Sequence, residues 1–210
     1  LYFYLSRRTW KQTENLFKDA MQMLEPLQQR PDLANYPEKR NALVDQVIKK
    51  LKTGYALAKW QFLLRSQIDA QIGIILYSVK QDLKAAMPFL QNSFKRNWMA
   101  QAMLAVCYLK KHKPDQMQNT FELAVRLNKK QDFLWSLYAY CLQKIKKTEQ
   151  AIEVLGRAQK ALPANNAIVE NLVALQNNKK MKMKAYGDQW FQFHLEKPPN
   201  MKKNIRYAKR

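Results

Sequence analysis

Few residues in this chain have the types and spacing that catalysis needs. There are two histidines, His112 and His194, far apart in sequence, and two cysteines, Cys107 and Cys141. A metal centre needs several ligands at close, regular spacing, and no such grouping occurs. Asp69 and Asp82 lack a neighbouring carboxylate at helical spacing, so no acid–base pair is offered. There is no glycine-rich phosphate loop and no Gly-x-Ser-x-Gly turn. The expectation is a protein that is not an enzyme, with no metal and no cofactor. His112 lies in the basic turn Lys110–Lys113 and is expected at the surface. Cys107 and Cys141 sit in apolar helical stretches and read as buried free thiols, which suits a reducing compartment.

Charge is the more informative chemistry. Lysine plus arginine number 37 against 16 acidic residues, a net charge of +21. Such a balance points to nucleic acid, an anionic membrane surface or an acidic protein, with a merely solvated lysine-rich surface as the plain alternative. From Gln176 to Arg210 there are ten basic residues and two acidic ones. Lys179, Lys180, Lys182 and Lys184 interleave with Met181 and Met183, and Tyr186, Trp190, Phe191 and Phe193 follow. Lys202, Lys203, Arg206, Lys209 and Arg210 carry the charge to the end. Basic residues mixed with aromatics suit single-stranded nucleic acid or an anionic bilayer. Alternatively, the aromatics dock as a cap on the repeats and the lysines are solvated.

The elements that must position these groups read as helices. Only 4 glycines and 8 prolines occur in 210 residues, too few for the many turns of a sheet protein. Hydrophobic residues make up 47%, enough for a core. Trp10, Phe17 and Leu24 form a heptad-like seam, with Leu16, Ala20, Met23 and Leu27 filling the same face. Pro31 ends that helix at the latest. A second helix starts near Pro37, with Glu38 in its first turn. Its apolar stripe of Val44, Ile48, Leu51, Tyr55, Ala58 and Phe62 predicts one continuous helix, with Gly54 tolerated inside it. The opening Leu1-Tyr2-Phe3-Tyr4-Leu5, followed by Arg7 and Arg8, is too short to span a bilayer, which takes about 20 residues. It reads either as the end of a spanning helix that begins before Leu1 or as an apolar helix end packed on a neighbour.

The remainder is repetitive. The windows Trp98–Gln131 and Asp132–Asn165 are each 34 residues long. Leu104, Ala105 and Tyr108 fall on Tyr138, Ala139 and Leu142; Phe121 falls on Leu155, Ala124 on Ala158 and Cys107 on Cys141. A fixed period with repeating residue class is the mark of a stacked solenoid. The second window carries Trp135, Tyr138, Ala139, Leu142, Ala151, Leu155, Ala158 and Pro163, and on these residues the chain resembles the tetratricopeptide repeat. The first window departs at Gln101, Met117 and Lys129. An earlier copy is read from about Ser66, through Ile72, Gly73, Leu76, Ala85 and Phe89. A partial later one begins at Asn166, with Leu172 and Val173 on its first helix and Ala185 on its second.

The resemblance implies a concave groove lined by the first helix of each pair. Carried over by position, its lining would be Met99, Ala102, Val106, Leu109 and Lys110, then Phe133, Ser136, Tyr140, Gln143 and Lys144. That apolar strip with lysines at one edge suits an acidic or amphipathic partner segment. The alternative is a groove filled by this chain's own N- or C-terminal segment. The expected fold is therefore all-α: a short helical-repeat solenoid preceded by a long helical hairpin. Residues 1–65 form the hairpin, 66–197 the repeats and a C-terminal capping segment, and 198–210 a basic tail. The expected function is a membrane-associated scaffold that docks a protein partner and helps assemble a multiprotein complex. It would sit at the cytoplasmic face, held by an anchor before Leu1, or otherwise in the cytoplasm. An RNA-binding module, or a structural subunit buried in a larger assembly, are the alternatives.

Overall fold

A computed structural model describes residues 2–29 and 36–197. The described residues form helices and turns, with no strand among them. The first 65 residues supply α1 (Tyr2–Gln22), the short α2 (Glu25–Gln29) and α3 (Pro37–Thr53). Pro37 occupies the first turn of α3, and Lys50 and Lys52 its last, each at the end where its chemistry favours a helix. Leu16, Ala20 and Leu24 of the heptad-like seam are buried, as are Val44, Val47 and Leu51 of α3, but Trp10, expected on the same seam, is 69% exposed: the packed face of α1 runs through Thr9 and Thr13 instead.

The continuous second helix predicted to Phe62 is not formed. The α-helix stops at Thr53, a 3-10 turn covers Gly54–Leu57, and Phe62 is 90% exposed. The change of geometry falls where packing is tight. A Cβ on Gly54 would overlap Leu16 Cδ2 and stand 2.8 Å from Ile68 Cδ1. Glycine is thus where α1 and the next helix close on the backbone; Gly54 itself keeps right-handed dihedrals, and the left-handed residue of the connection is Leu63, with φ of 68°.

Three complete helix pairs follow. The first is α4 (Leu64–Ile75), extended by a π turn over Leu76–Lys80, with α5 (Leu83–Asn92). The second is α6 (Trp98–Lys110) with α7 (Pro114–Leu127), and the third α8 (Asp132–Lys144) with α9 (Thr148–Ala161). Then α10 (Asn166–Gln176) begins a fourth pair. The leading helices start at Leu64, Trp98, Asp132 and Asn166, so the 34-residue register extends back to Leu64, two residues before the boundary read from sequence. Asparagine sets two of these starts. Asn97 Oδ1 accepts from the Ala100 amide at 3.1 Å, and Asn165 Oδ1 from the Ile168 amide at 3.0 Å.

The second helix expected in the fourth unit is absent. Ala185 lies in a 3-10 turn (Met183–Tyr186), and only the short α11 (Asp188–Phe191) follows. Small residues let the pairs close: Gly73 packs directly on Leu90, and Ala105, Ala139, Ala151 and Ala158 are fully buried. Phe121 stacks on Tyr138 with ring centroids 4.9 Å apart. Arg157 of α9 donates to both Glu122 oxygens of α7, at 2.6 and 3.0 Å, and so joins neighbouring pairs.

In α8 every residue from Phe133 to Leu142 is buried, and in α6 every residue from Ala100 to Cys107. A helix buried all round must be covered on both faces. The second helices of the pairs cover one face; the chain's own C-terminal segment covers the other.

Candidate interaction surface

The residues with chemical potential have structural partners. Asp69 is buried and accepts from the Tyr55 hydroxyl at 2.5 Å. Asp82 caps α5 by accepting from the Ala85 amide at 2.9 Å. Cys107 and Cys141 are buried and unbridged, and burial pushes the Cys107 thiol up to about 12, away from thiolate chemistry. His112 is exposed at a turn. Among the described residues no group of three His, Cys, Asp or Glu is placed to hold a metal ion.

The open face of the leading helices is filled from within. After α10 the chain reverses and runs back across the leading helices. The Tyr186 hydroxyl lies 2.9 Å from Ser136 Oγ, and its ring packs on Phe133 at 5.1 Å. Trp190 meets Tyr140 edge-on at 4.7 Å, and Phe193 lies 5.5 Å from Phe133. The backbone is tied as well. Tyr77 donates to the Phe193 carbonyl at 2.7 Å, Lys110 Nζ reaches the same oxygen at 3.4 Å, and His194 Nε2 donates to the Ser78 carbonyl at 2.9 Å. Trp190 and Phe193 are fully buried.

Of the ten residues carried over as groove lining, Ala102, Val106, Phe133, Ser136 and Tyr140 are therefore buried. Met99, Leu109, Lys110 and Gln143 are half-buried, and Lys144 is exposed. Burial of side chains of this size stabilises by about 1.5–3 kcal/mol each, so a partner entering the groove must first displace several such contacts. The arrangement is the alternative in which the chain's own C-terminal segment fills the groove; the aromatics run along the leading helices rather than capping the last repeat.

What stays accessible is one edge of the repeats. Each leading helix ends in a left-handed residue: Gln81, His112, Lys146 and Asn178, with φ of 59°, 55°, 62° and 54°. The next amide closes each turn back onto the helix. Lys113 N donates to the Tyr108 carbonyl and Lys147 N to that of Leu142, both at 3.0 Å; Lys179 N donates to that of Ala174 at 2.7 Å. This is the helix-ending bond that usually recruits glycine, built here with polar residues. The closures stack on one side, and lysines flank them: Lys111 and Lys113, Lys146 and Lys147, Lys179 and Lys180. None of these six makes an ion pair with a described residue.

Clefts separate the turns. One of about 520 Å³ lies between the second and third, with Leu109, Ile145 and Leu195 beside His112, Lys113 and Lys147. A larger one of about 910 Å³ lies between the third turn and the returning chain. Its walls carry Lys144, Lys180, Lys182, Lys184 and Lys197, with Met181 and Met183 among them. At one wall Tyr140 donates to Glu196 Oε1 at 3.3 Å, and Lys144 Nζ sits 5.2 Å from the Tyr140 ring centre. Among the described residues, Lys182 alone of these lysines forms an ion pair, with Glu170 at 3.1 Å. The groove places Tyr140, Gln143 and Lys144 thus meet the basic stretch Lys179–Lys184 in a single cleft. In the sequence the two stand apart, and the basic turn holding Lys111 and Lys113 carries no evident local link to Lys146 and Lys147. The signal was present, since all four follow a leading helix in the 34-residue register. The tail residues Lys202, Lys203, Arg206, Lys209 and Arg210 lie outside the described residues.

The chain matches no protein-family model and none of the curated proteins. Among the described residues no helix is long and apolar enough to cross a membrane.

Proposed function

We propose that this protein is an interaction scaffold of tetratricopeptide type that binds an acidic, amphipathic segment of a protein partner along its lysine-flanked edge. The observation that carries the reading is the convergence of turn lysines on clefts that also present Ile145 and Leu195, with Met181 and Met183 buried in the wall of the larger cleft. A partner helix with carboxylates on its flanks and apolar residues between them matches both features. The concave groove is not the docking place in this reading, because Tyr186, Trp190 and Phe193 already occupy it. RNA stands lower for the same reason. Trp190 and Phe193 of the basic C-terminal stretch are buried, and the lysine turns beside the clefts, without exposed rings next to them, are a weaker single-strand site. The reading includes association with the cytoplasmic face of a membrane and a role in assembling a multiprotein complex.

The test is a titration of fluorescent peptides against the whole chain. An acidic amphipathic peptide is expected to bind, with affinity falling as salt rises. Lys144→Glu with Lys180→Glu is expected to weaken it about tenfold or more. Equal binding of a neutral peptide of the same apolar pattern, or indifference to the double charge reversal, removes the proposal. Tight binding of a single-stranded RNA where the acidic peptide fails favours the polyanion reading instead.

A further inference from the structure

Exposed aromatic side chains collect at a second place, at the start of the first helix pair. Gln61 ties the turn before α4 to α1. Its Oε1 accepts from Thr13 Oγ1 at 3.0 Å, and its Nε2 donates to Thr9 Oγ1 at 3.3 Å. This bond brings Trp10 of α1 to the same junction as Trp60 and Phe62. Trp10 is 69% exposed and Phe62 90%. Trp60 is exposed as well. These side chains project from a helix face and a turn, so they offer ridges rather than a pocket.

Cations surround them. Arg7, Lys11, Lys59 and Arg65 are all exposed; Glu14 of α1 is exposed too, and Asp69 of α4 is buried against Tyr55. Lys59 Nζ lies 5.5 Å from the Trp60 ring centre. The turn stands at the amino end of α4, on the edge opposite the clefts. The same edge continues through the turns before α6 and α8, where Lys95, Arg96, Lys129 and Lys130 are also exposed.

We propose that this edge is a peripheral docking surface for an anionic lipid bilayer. Tryptophan and phenylalanine enter the interfacial layer, where amphipathic and apolar rings are favoured. The flanking lysines and arginines face the lipid phosphates and carboxylates. A bilayer accommodates projecting rings without needing a complementary pocket, which a protein partner would have to supply. The inference deepens the membrane placement proposed above and uses a surface distinct from the partner clefts, so either can fail alone.

The experiment is co-sedimentation of the whole chain with phosphatidylcholine vesicles, with and without phosphatidylserine. The chain is expected to bind the anionic vesicles and leave the neutral ones. Trp10→Ala with Phe62→Ala is expected to weaken binding about tenfold, with unchanged thermal melting because both side chains are exposed. Lys144→Glu with Lys180→Glu is expected to leave vesicle binding intact while reducing peptide binding. Wild-type vesicle affinity in the aromatic variant overturns the proposal. Loss of vesicle binding in the cleft variant alone also overturns it, and assigns the lipid to the other edge. Self-association that the aromatic variant abolishes, without vesicle binding, overturns it in favour of a contact between copies of the chain.

Discussion

Trp190 carries more of the fold than its late position suggests. It is fully buried against Tyr140, and its Nε1 has no hydrogen-bond partner among the described residues. Its contribution is therefore packing rather than polar contact. Trp190→Ala is expected to cost about 3–5 kcal/mol in chemical denaturation, and Trp190→Phe far less, because no hydrogen bond is lost. His194 gives the segment a pH dependence. Burial, aided by Lys110 and Arg40, holds its imidazole below the ordinary value of 6.5. The unfolded chain then takes up the proton more readily than the folded one. Stability is accordingly full above that ordinary value and falls with pH below it, until the folded value is passed. Between about pH 7 and about pH 5 the wild type should lose an increment of stability that His194→Gln does not lose. The sequence showed these aromatics as a group but not their seat. The residues they touch, Tyr77, Phe133 and Tyr140, lie far away in the chain, and no local periodicity reports such contacts.

Two glycines give opposite predictions at the level of the helices. A Cβ on Gly73 would stand 2.7 Å from Leu90 Cδ2 and 3.0 Å from the Leu90 backbone nitrogen, so α4 and α5 must part to admit it. Gly73→Ala is expected to destabilise by about 1–3 kcal/mol. Gly156, inside α9, would meet nothing within 4 Å. Gly156→Ala is expected to stabilise by up to about 1 kcal/mol, since only helix propensity changes. Both are read from urea midpoints. Helix starts were the most legible elements, because the repeat fixes residue class at a period the eye can follow from Trp98 to Asn165. The two misreadings have local causes. The stripe ending at Phe62 kept helical spacing past Thr53, where the α-helix tightens into a 3-10 turn. Ala185 met the small-residue requirement of a second helix by residue type alone. The better signal was alternation. Lys180, Lys182 and Lys184 are exposed while Met181 and Met183 are buried, a two-residue period that belongs to extended chain.

At the scale of the molecule, much of the basic excess among the described residues falls into two separate regions. One edge carries the closures of the leading helices with their lysines and clefts, and the opposite edge carries Lys59, Arg65, Lys95, Arg96, Lys129 and Lys130 around exposed aromatics. Composition announced the charge, but only the stacking of turns sorts it. Charge reversals at the two edges should therefore be separable, each impairing one of the two proposed binding activities and sparing the other. The length of the leading helices sets how independent these edges are. α6 has 13 residues, so its ends are roughly 20 Å apart at 1.5 Å per residue. The Debye length is about 8 Å at physiological ionic strength. A chain resting on a bilayer by its aromatic edge would hold the far lysines more than two screening lengths above the lipid charge. They would neither be neutralised by the headgroups nor drawn down to them, and a soluble partner would meet the same field at the membrane as in free solution.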